Sequence, residues 1–196
     1  MSNFLRRKVA RALLRCGYDV HRIRPPLAYL ETFMQRQRID TILDVGANTG
    51  QFGWEMRRAG YDGRIISFEP LSGAHADLTL RARQDPLWTV APRIALGSEE
   101  GEIAIHVSGF SPASSVLPIC DWYREASPEV ESVGTETVPC RRLDTVAPPY
   151  LKNGNRSLLK LDVQGYEKQV LDGATNVLQL FAGVYLELSL EPLYKG

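Results

Sequence analysis

The sequence predicts an α/β fold, a mostly parallel central sheet with helices on both faces. Three observations lead there. Short β-branched runs alternate with helical patterns from Asp40 onward, and such alternation implies βαβ units. The stretch "IDTILDVGANTGQF" carries an apolar strand into a glycine-bracketed turn and then a helix. The chain has 196 residues, 44% hydrophobic and 23% charged, which suits one substantial core of ordinary globular composition.

The elements follow in order. In "FLRRKVARALLRC", residues 4–16, Leu5, Val9, Ala12, Leu13 and Cys16 share one face of a helix while Arg6, Arg7, Lys8, Arg11 and Arg15 fill the other. "RIRPP" then breaks the pattern, because Pro25 and Pro26 cannot continue a helix. Residues 1–38 carry a balance of +7 and residues 39–196 one of −7, so the net charge of zero hides a basic end and an acidic body. Residues 1–38 are therefore read as a basic amphipathic helix and linker, and 39–196 as the functional domain. The basic face is either simply solvated or attaches residues 4–16 to an anionic membrane surface or acidic partner.

In the second region "TILDV" is a strand, "QFGWEMRRAG" a helix closed by Gly60, "RIISFEP" a strand stopped by Pro70, and "GAHADLTLRARQ" a helix. "EIAIHVS" and "ETVPCRRLD" read as extra strands around a Ser/Pro-rich loop, "SGFSPASSVLP", of a length more often functional than decorative. "SLLKLDV" is a strand, "YEKQVLDGA" a helix and "GVYLELS" the last strand.

The glycine turn limits what can bind. A Walker loop needs G-x-x-x-x-G-K-[ST], and Gln51 stands where its second glycine belongs. A dinucleotide fingerprint needs glycines at 46, 48 and 51, and two of these are Asn48 and Gln51. What survives is an acid ending one strand, a small turn, and Glu69 ending the next strand, where a carboxylate can accept hydrogen bonds from two ribose hydroxyls. Asp44 would repel a phosphate but suits a positive amino group. A ribose, an amino group and no phosphate describe S-adenosylmethionine. The plainer alternative makes Asp44 a helix cap and puts Glu69 on an exposed edge.

"DVGANTGQF", "FEP", "ALGSEEG", "SSV", "VPCRRLDTV" and "LLKLDVQGYEKQVLDGA" occur in the order seen in FkbM-type methyltransferases, and the resemblance runs from about Ile39 to Gly196. It implies a Rossmann-like class I methyltransferase fold, dependence on S-adenosylmethionine, and O-methylation of a hydroxyl on a sugar, glycolipid, polysaccharide or secondary metabolite. Asp44, Gly46, Asn48 and Gly50 resemble the family's first motif, Glu69 its ribose-binding acid, and Ala95 and Leu96 positions near the adenine. Position 164 is Gln where members commonly carry Glu. The resemblance also leads one to expect a further antiparallel strand pair after the fifth strand. The chain stops at "EPLYKG", so a short, catalytically weak or inactive remnant that binds cofactor or a partner is the alternative reading.

Methyl transfer to oxygen is an in-line displacement that needs an aligned hydroxyl and a proton acceptor. Asp162, at the carboxyl end of the fourth parallel strand, is the first candidate, Glu187, ending the fifth, is the second, and Lys160 beside Asp162 is counted with them as a catalytic candidate. His75 and His106 fall within a helix and a strand and read as structural, so no metal is assigned. Cys16, Cys120 and Cys140 make neither a metal spacing nor a disulfide framework. With no apolar run of membrane-spanning length and no signal-peptide core, the expected location is cytoplasmic, with peripheral contact at the inner membrane face as the second reading. The expected partner is a small-molecule or glycan acceptor, and no nucleic acid.

Overall fold

The computed structural model describes residues 26–151 and 154–195. The basic segment 4–16 lies outside them. The chain divides into two units, Met1–Phe33 and Met34–Gly196. Helix α1, Pro26–Gln37, occupies part of what reads as linker. Proline is suited to a first helical turn, where its missing N–H would have no intrahelical partner anyway. Pro26 therefore starts this helix, although no helix is expected to continue through it.

The second unit then runs β1 (Thr41–Val45), α2 (Gln51–Arg58), β2 (Arg64–Phe68), α3 (Ser72–Ala82), β3 (Trp88–Val90), β4 (Ala95–Leu96) and β5 (Gly101–Ser108). It continues with α4 (Asp121–Ala126), β6 (Ser132–Arg141), α5 (Leu143–Val146), β7 (Ser157–Leu161), α6 (Glu167–Asp172) and β8 (Phe181–Leu186). The main sheet has the order β3-β2-β1-β7-β8, and every pair in it is parallel. This is the expected α/β, Rossmann-like sheet. The strand order reverses between β1 and β7, the switch point where ligands of such sheets bind.

All five residues of β1 and all five of β7 are buried, as central parallel strands covered on both faces require. Leu43, Val45, Ile66, Phe68, Leu159 and Leu161 join one apolar cluster. The two extra strands expected in the middle are β5 and β6, an antiparallel pair that with β4 makes a second sheet, β4-β6-β5. Sequence patterning misses β3 and β4 because three and two residues are too few to show a period. Among the described residues β8 is the edge of the main sheet.

Two turns hold the switch point together. Gly46 has φ 72°, and a Cβ there would overlap the carbonyl oxygen of Asp162. The loop after β1 and the loop after β7 thus meet backbone to backbone. Gly46→Ala should cost clearly more than Gly60→Ala, which has φ 89° but nothing within 4 Å of its added methyl. Left-handed strain alone is about 1–2 kcal/mol; urea denaturation should show that loss for Gly60→Ala and a larger one for Gly46→Ala. Equal losses would mean that the two loops are not in tight contact.

Candidate active site

Register assembles the site. Asp44 on β1 pairs across the sheet with Ser67 on β2 and Lys160 on β7, so three polar side chains lie abreast on one face of a buried sheet. Each is almost wholly buried, Asp44 and Ser67 at 0% exposure and Lys160 at 4%. Buried polar groups need partners, and these find one another. Trp88 Nε1 donates to Ser67 Oγ at 3.0 Å, and Ser67 Oγ donates to Asp44 Oδ2 at 3.1 Å. Lys160 Nζ stands 3.0 Å from Asp44 Oδ1 and 3.6 Å from Asp162 Oδ2.

The lysine's best-directed hydrogen bond goes to Gly46 O at 3.0 Å. Its ammonium also forms a close ion pair with Asp44 Oδ1 at 3.0 Å. Burial alone would depress the Lys160 pKa, but the neighbouring Asp44 and Asp162 carboxylates outweigh it and hold the ammonium charged. Lys160 is thus a fixed cation joining β1 to β7, not a proton acceptor.

Glu69 follows β2 and is 4% exposed. Its Oε2 accepts from Asn48 N and its Oε1 from Leu71 N, both at 2.8 Å. Burial pushes its pKa up to about 7 despite those two hydrogen bonds. Glu69 is therefore not on an exposed edge, and Asp44 is an ion-pair partner rather than a helix cap. Asn48 takes a left-handed φ of 47°, a conformation asparagine tolerates. Its Nδ2 donates to Ser111 Oγ at 3.1 Å, and its Oδ1 accepts from Thr49 N at 2.8 Å. Gly50 turns the chain into α2 with φ 84°.

Asp162 is partly open, its side chain 25% exposed. Its Oδ1 accepts from Gln164 Nε2 at 2.6 Å. Gln164 Oε1 in turn lies 2.8 Å from the Tyr194 hydroxyl, whose proton it shares with Ala113 O at 3.1 Å. Burial raises the Tyr194 pKa, so the phenol stays a donor. Glu187, just beyond β8, is exposed, and the Asp162 charge and then partial burial raise its pKa. Asp44, Gly46, Asn48, Gly50, Glu69, Lys160, Asp162 and Glu187 therefore all follow or end strands at the carboxyl edge of the sheet. Ala95 and Leu96 do not join their hydrogen-bond network; they form β4 and bury their side chains in two apolar clusters.

Ser67, Ser111, Gln164 and Tyr194 are missing from the sequence-based candidates. Ser67 left a signal, a lone polar residue inside the apolar run "RIISF". Ser111 belongs to the Ser/Pro loop, which reaches the turn after β1 through Asn48 and the Asp162 loop through Ser115 Oγ, a donor to Gln164 O at 2.6 Å. His75, read as structural, is satisfied by Ala91 O at 2.9 Å.

A doubly wound sheet with an acid at each of several adjacent strand ends fits a methyltransferase, and a family model decides the matter. The model described as Methyltransferase FkbM domain matches residues 44–196, from the end of β1 through the last residue. The chain belongs to the FkbM methyltransferase family. No curated protein and no solved structure matches it. In this FkbM methyltransferase the first-motif turn and the β7 loop are one electrostatic unit, tied by Lys160. No helix among the described residues is long and apolar enough to cross a membrane.

Removing one partner of a buried pair leaves an uncompensated charge, typically a cost of about 3–5 kcal/mol. Lys160→Met should therefore destabilise the fold by roughly that much in urea or guanidinium denaturation. Asp44→Asn combined with Lys160→Met should recover part of the loss. A Lys160→Met protein as stable as its parent would show that the pair is solvent-screened.

Proposed function

We infer that this methyltransferase uses S-adenosylmethionine and transfers its methyl group to a hydroxyl oxygen of a sugar, glycolipid, polysaccharide or secondary metabolite. The observation that carries the reading is the donor set at the switch point: the carboxylates of Asp44, Glu69, Asp162 and Glu187 around the single ammonium of Lys160. Such an excess of negative charge favours a sulfonium and an amino group and repels phosphates, so a dinucleotide fits poorly. Glu69 keeps free lone pairs beyond its two backbone bonds, which supports its role toward ribose hydroxyls.

S-adenosylmethionine supplies, when bound, a methyl group already activated on a positive sulfur. The chain's own residues must then hold the reacting hydroxyl and accept its proton. Asp162 suits this work: Gln164 engages its Oδ1, while its Oδ2 is held only by a 3.6 Å ion pair. Glu187, the second candidate, carries a carboxyl made more basic by Asp162, which suits a base working near neutral pH.

Glu69→Ala should weaken S-adenosylmethionine binding by about a hundredfold or more, since hydrogen bonds to a charged group are worth roughly 1.5–3 kcal/mol each. Calorimetry reads this directly, and unchanged affinity would remove the ribose assignment. The Glu69 pKa also has a pH consequence with a definite sign. The native state holds its proton up to about pH 7 while the unfolded state releases it near 4.5. Protonated Glu69 therefore favours folding below the unfolded pKa, and that contribution is lost as pH rises through about 7. The ionised form is the ribose acceptor, so cofactor affinity should instead rise across the same window, and Glu69→Gln should flatten both trends.

Asp162→Asn keeps the side chain's shape but takes no proton at neutral pH. Labelled methyl transfer should fall by about 10²–10⁴-fold, with cofactor affinity nearly unchanged. An undiminished rate would hand the proton to Glu187 or to no base at all. Loss of cofactor binding would move Asp162 into the binding shell.

A further inference from the structure

A cavity of about 400 Å³ opens beside Gln164 and Glu187, between the Ser/Pro loop and the chain that follows β8. Its size falls within the usual range for small-molecule sites. Phe110, Pro112 and Tyr123 supply apolar and aromatic walls. Among the described residues its charged lining is all acidic, Glu167, Glu187 and Glu191, with no lysine, arginine or histidine. Cations nearby in sequence are already paired elsewhere, Lys195 with Asp121 at 3.0 Å and Arg124 with Asp121 at 2.7 Å. Glu167 is 7% exposed and is held by two backbone donors, Val163 N and Gly165 N, so its charge is fixed rather than mobile.

Gln164 joins this cavity to the reacting edge. Its side chain lines the space and donates to Asp162 Oδ1 at 2.6 Å, while Tyr194, also in the wall, holds the other end of the amide. An acceptor seated here would have Glu187 in its wall and Asp162 one side chain away.

We propose that this cavity is the acceptor site and that its three glutamates select by charge, admitting uncharged or amino-bearing polyhydroxy compounds and rejecting anionic ones. The proposal rests on the S-adenosylmethionine-dependent reading above and specifies its acceptor. Carboxylates accept hydrogen bonds from hydroxyl and ammonium groups, and aromatic rings pack against the C–H faces of a small ring. A carboxylate or phosphate on the acceptor would face like charge with no counter-ion among the described wall residues, a repulsive element that discriminates between partners of equal shape.

The test uses the full chain and three probes of one ring shape: methyl glucopyranoside, its 2-amino analogue, and methyl glucuronide. Saturation-transfer NMR reads binding and thermal shift with S-adenosylmethionine reads the cofactor. The neutral and amino probes should bind, with the glucuronide at least tenfold weaker. Glu191→Lys, at an exposed position, should bring the glucuronide within about threefold of the neutral probe while leaving the cofactor-induced shift unchanged. Phe110→Ala should weaken the neutral probe severalfold. A glucuronide that binds as well as the neutral ring, or no binding by any of the three, overturns the proposal. Absence of a cofactor-induced shift would instead remove the cofactor reading on which it stands, so the two failures are told apart.

Discussion

The ion pair between Asp44 and Lys160 is the constraint from which the rest of the site follows. It joins the two central strands at equivalent register positions, inside a sheet whose neighbouring residues are apolar and fully buried. Bringing two charges into such a place is costly, and their attraction offsets that cost only when geometry and further hydrogen bonds are good. Here the support comes from Ser67 on one side and from the Gly46 carbonyl on the other. An apolar pair of the same volume would serve stability at least as well. The charges make better sense as a fixed electrostatic arrangement at the point where two loops must be held in register.

That arrangement sets what the neighbouring groups can do. With Lys160 held charged, Asp162 has an opposite charge on one side and the raised carboxyl of Glu187 on the other. Glu69, farther along the edge, is pushed toward neutrality by burial. Two carboxyls on this edge are thus raised for different reasons, Glu69 by burial and Glu187 first by the charge of Asp162. Gly46 makes this possible mechanically. Only a residue without Cβ lets the β1 loop lie against the Asp162 carbonyl, and so brings the turn after β1 and the Asp162 loop into one unit.

Much of this was legible in the chain. The glycine turn, the acids at 44, 69 and 162 and the alternation of strands and helices all leave local signals, because strand ends and tight turns impose residue types on neighbouring positions. The mostly parallel sheet followed from them, while its strand order came only with the structure. What escaped was non-local. Tyr194 reaches Gln164 across 30 positions and Ser111 reaches Asn48 across 63, with nothing in the intervening sequence to announce either contact. Helix α1 escaped for a different reason: Pro26 reads as a breaker in isolation, yet it is a favourable starter when the helix lies entirely after it.

The Ser/Pro loop gives these long-range contacts a common logic. One residue of it holds Asn48 on the turn after β1, another holds the Gln164 backbone, and its Ala113 carbonyl shares the Tyr194 proton. The same loop walls the cavity through Phe110 and Pro112. A segment that grips both the turn after β1 and the loop after β7 cannot shift for one without disturbing the other. The space beside Phe110 and the groups around Glu69 are thus linked by a few directed hydrogen bonds through side chains of modest size. Serine suits this work: its hydroxyl reaches backbone and amide partners at short range and adds little bulk to a loop that also walls the cavity.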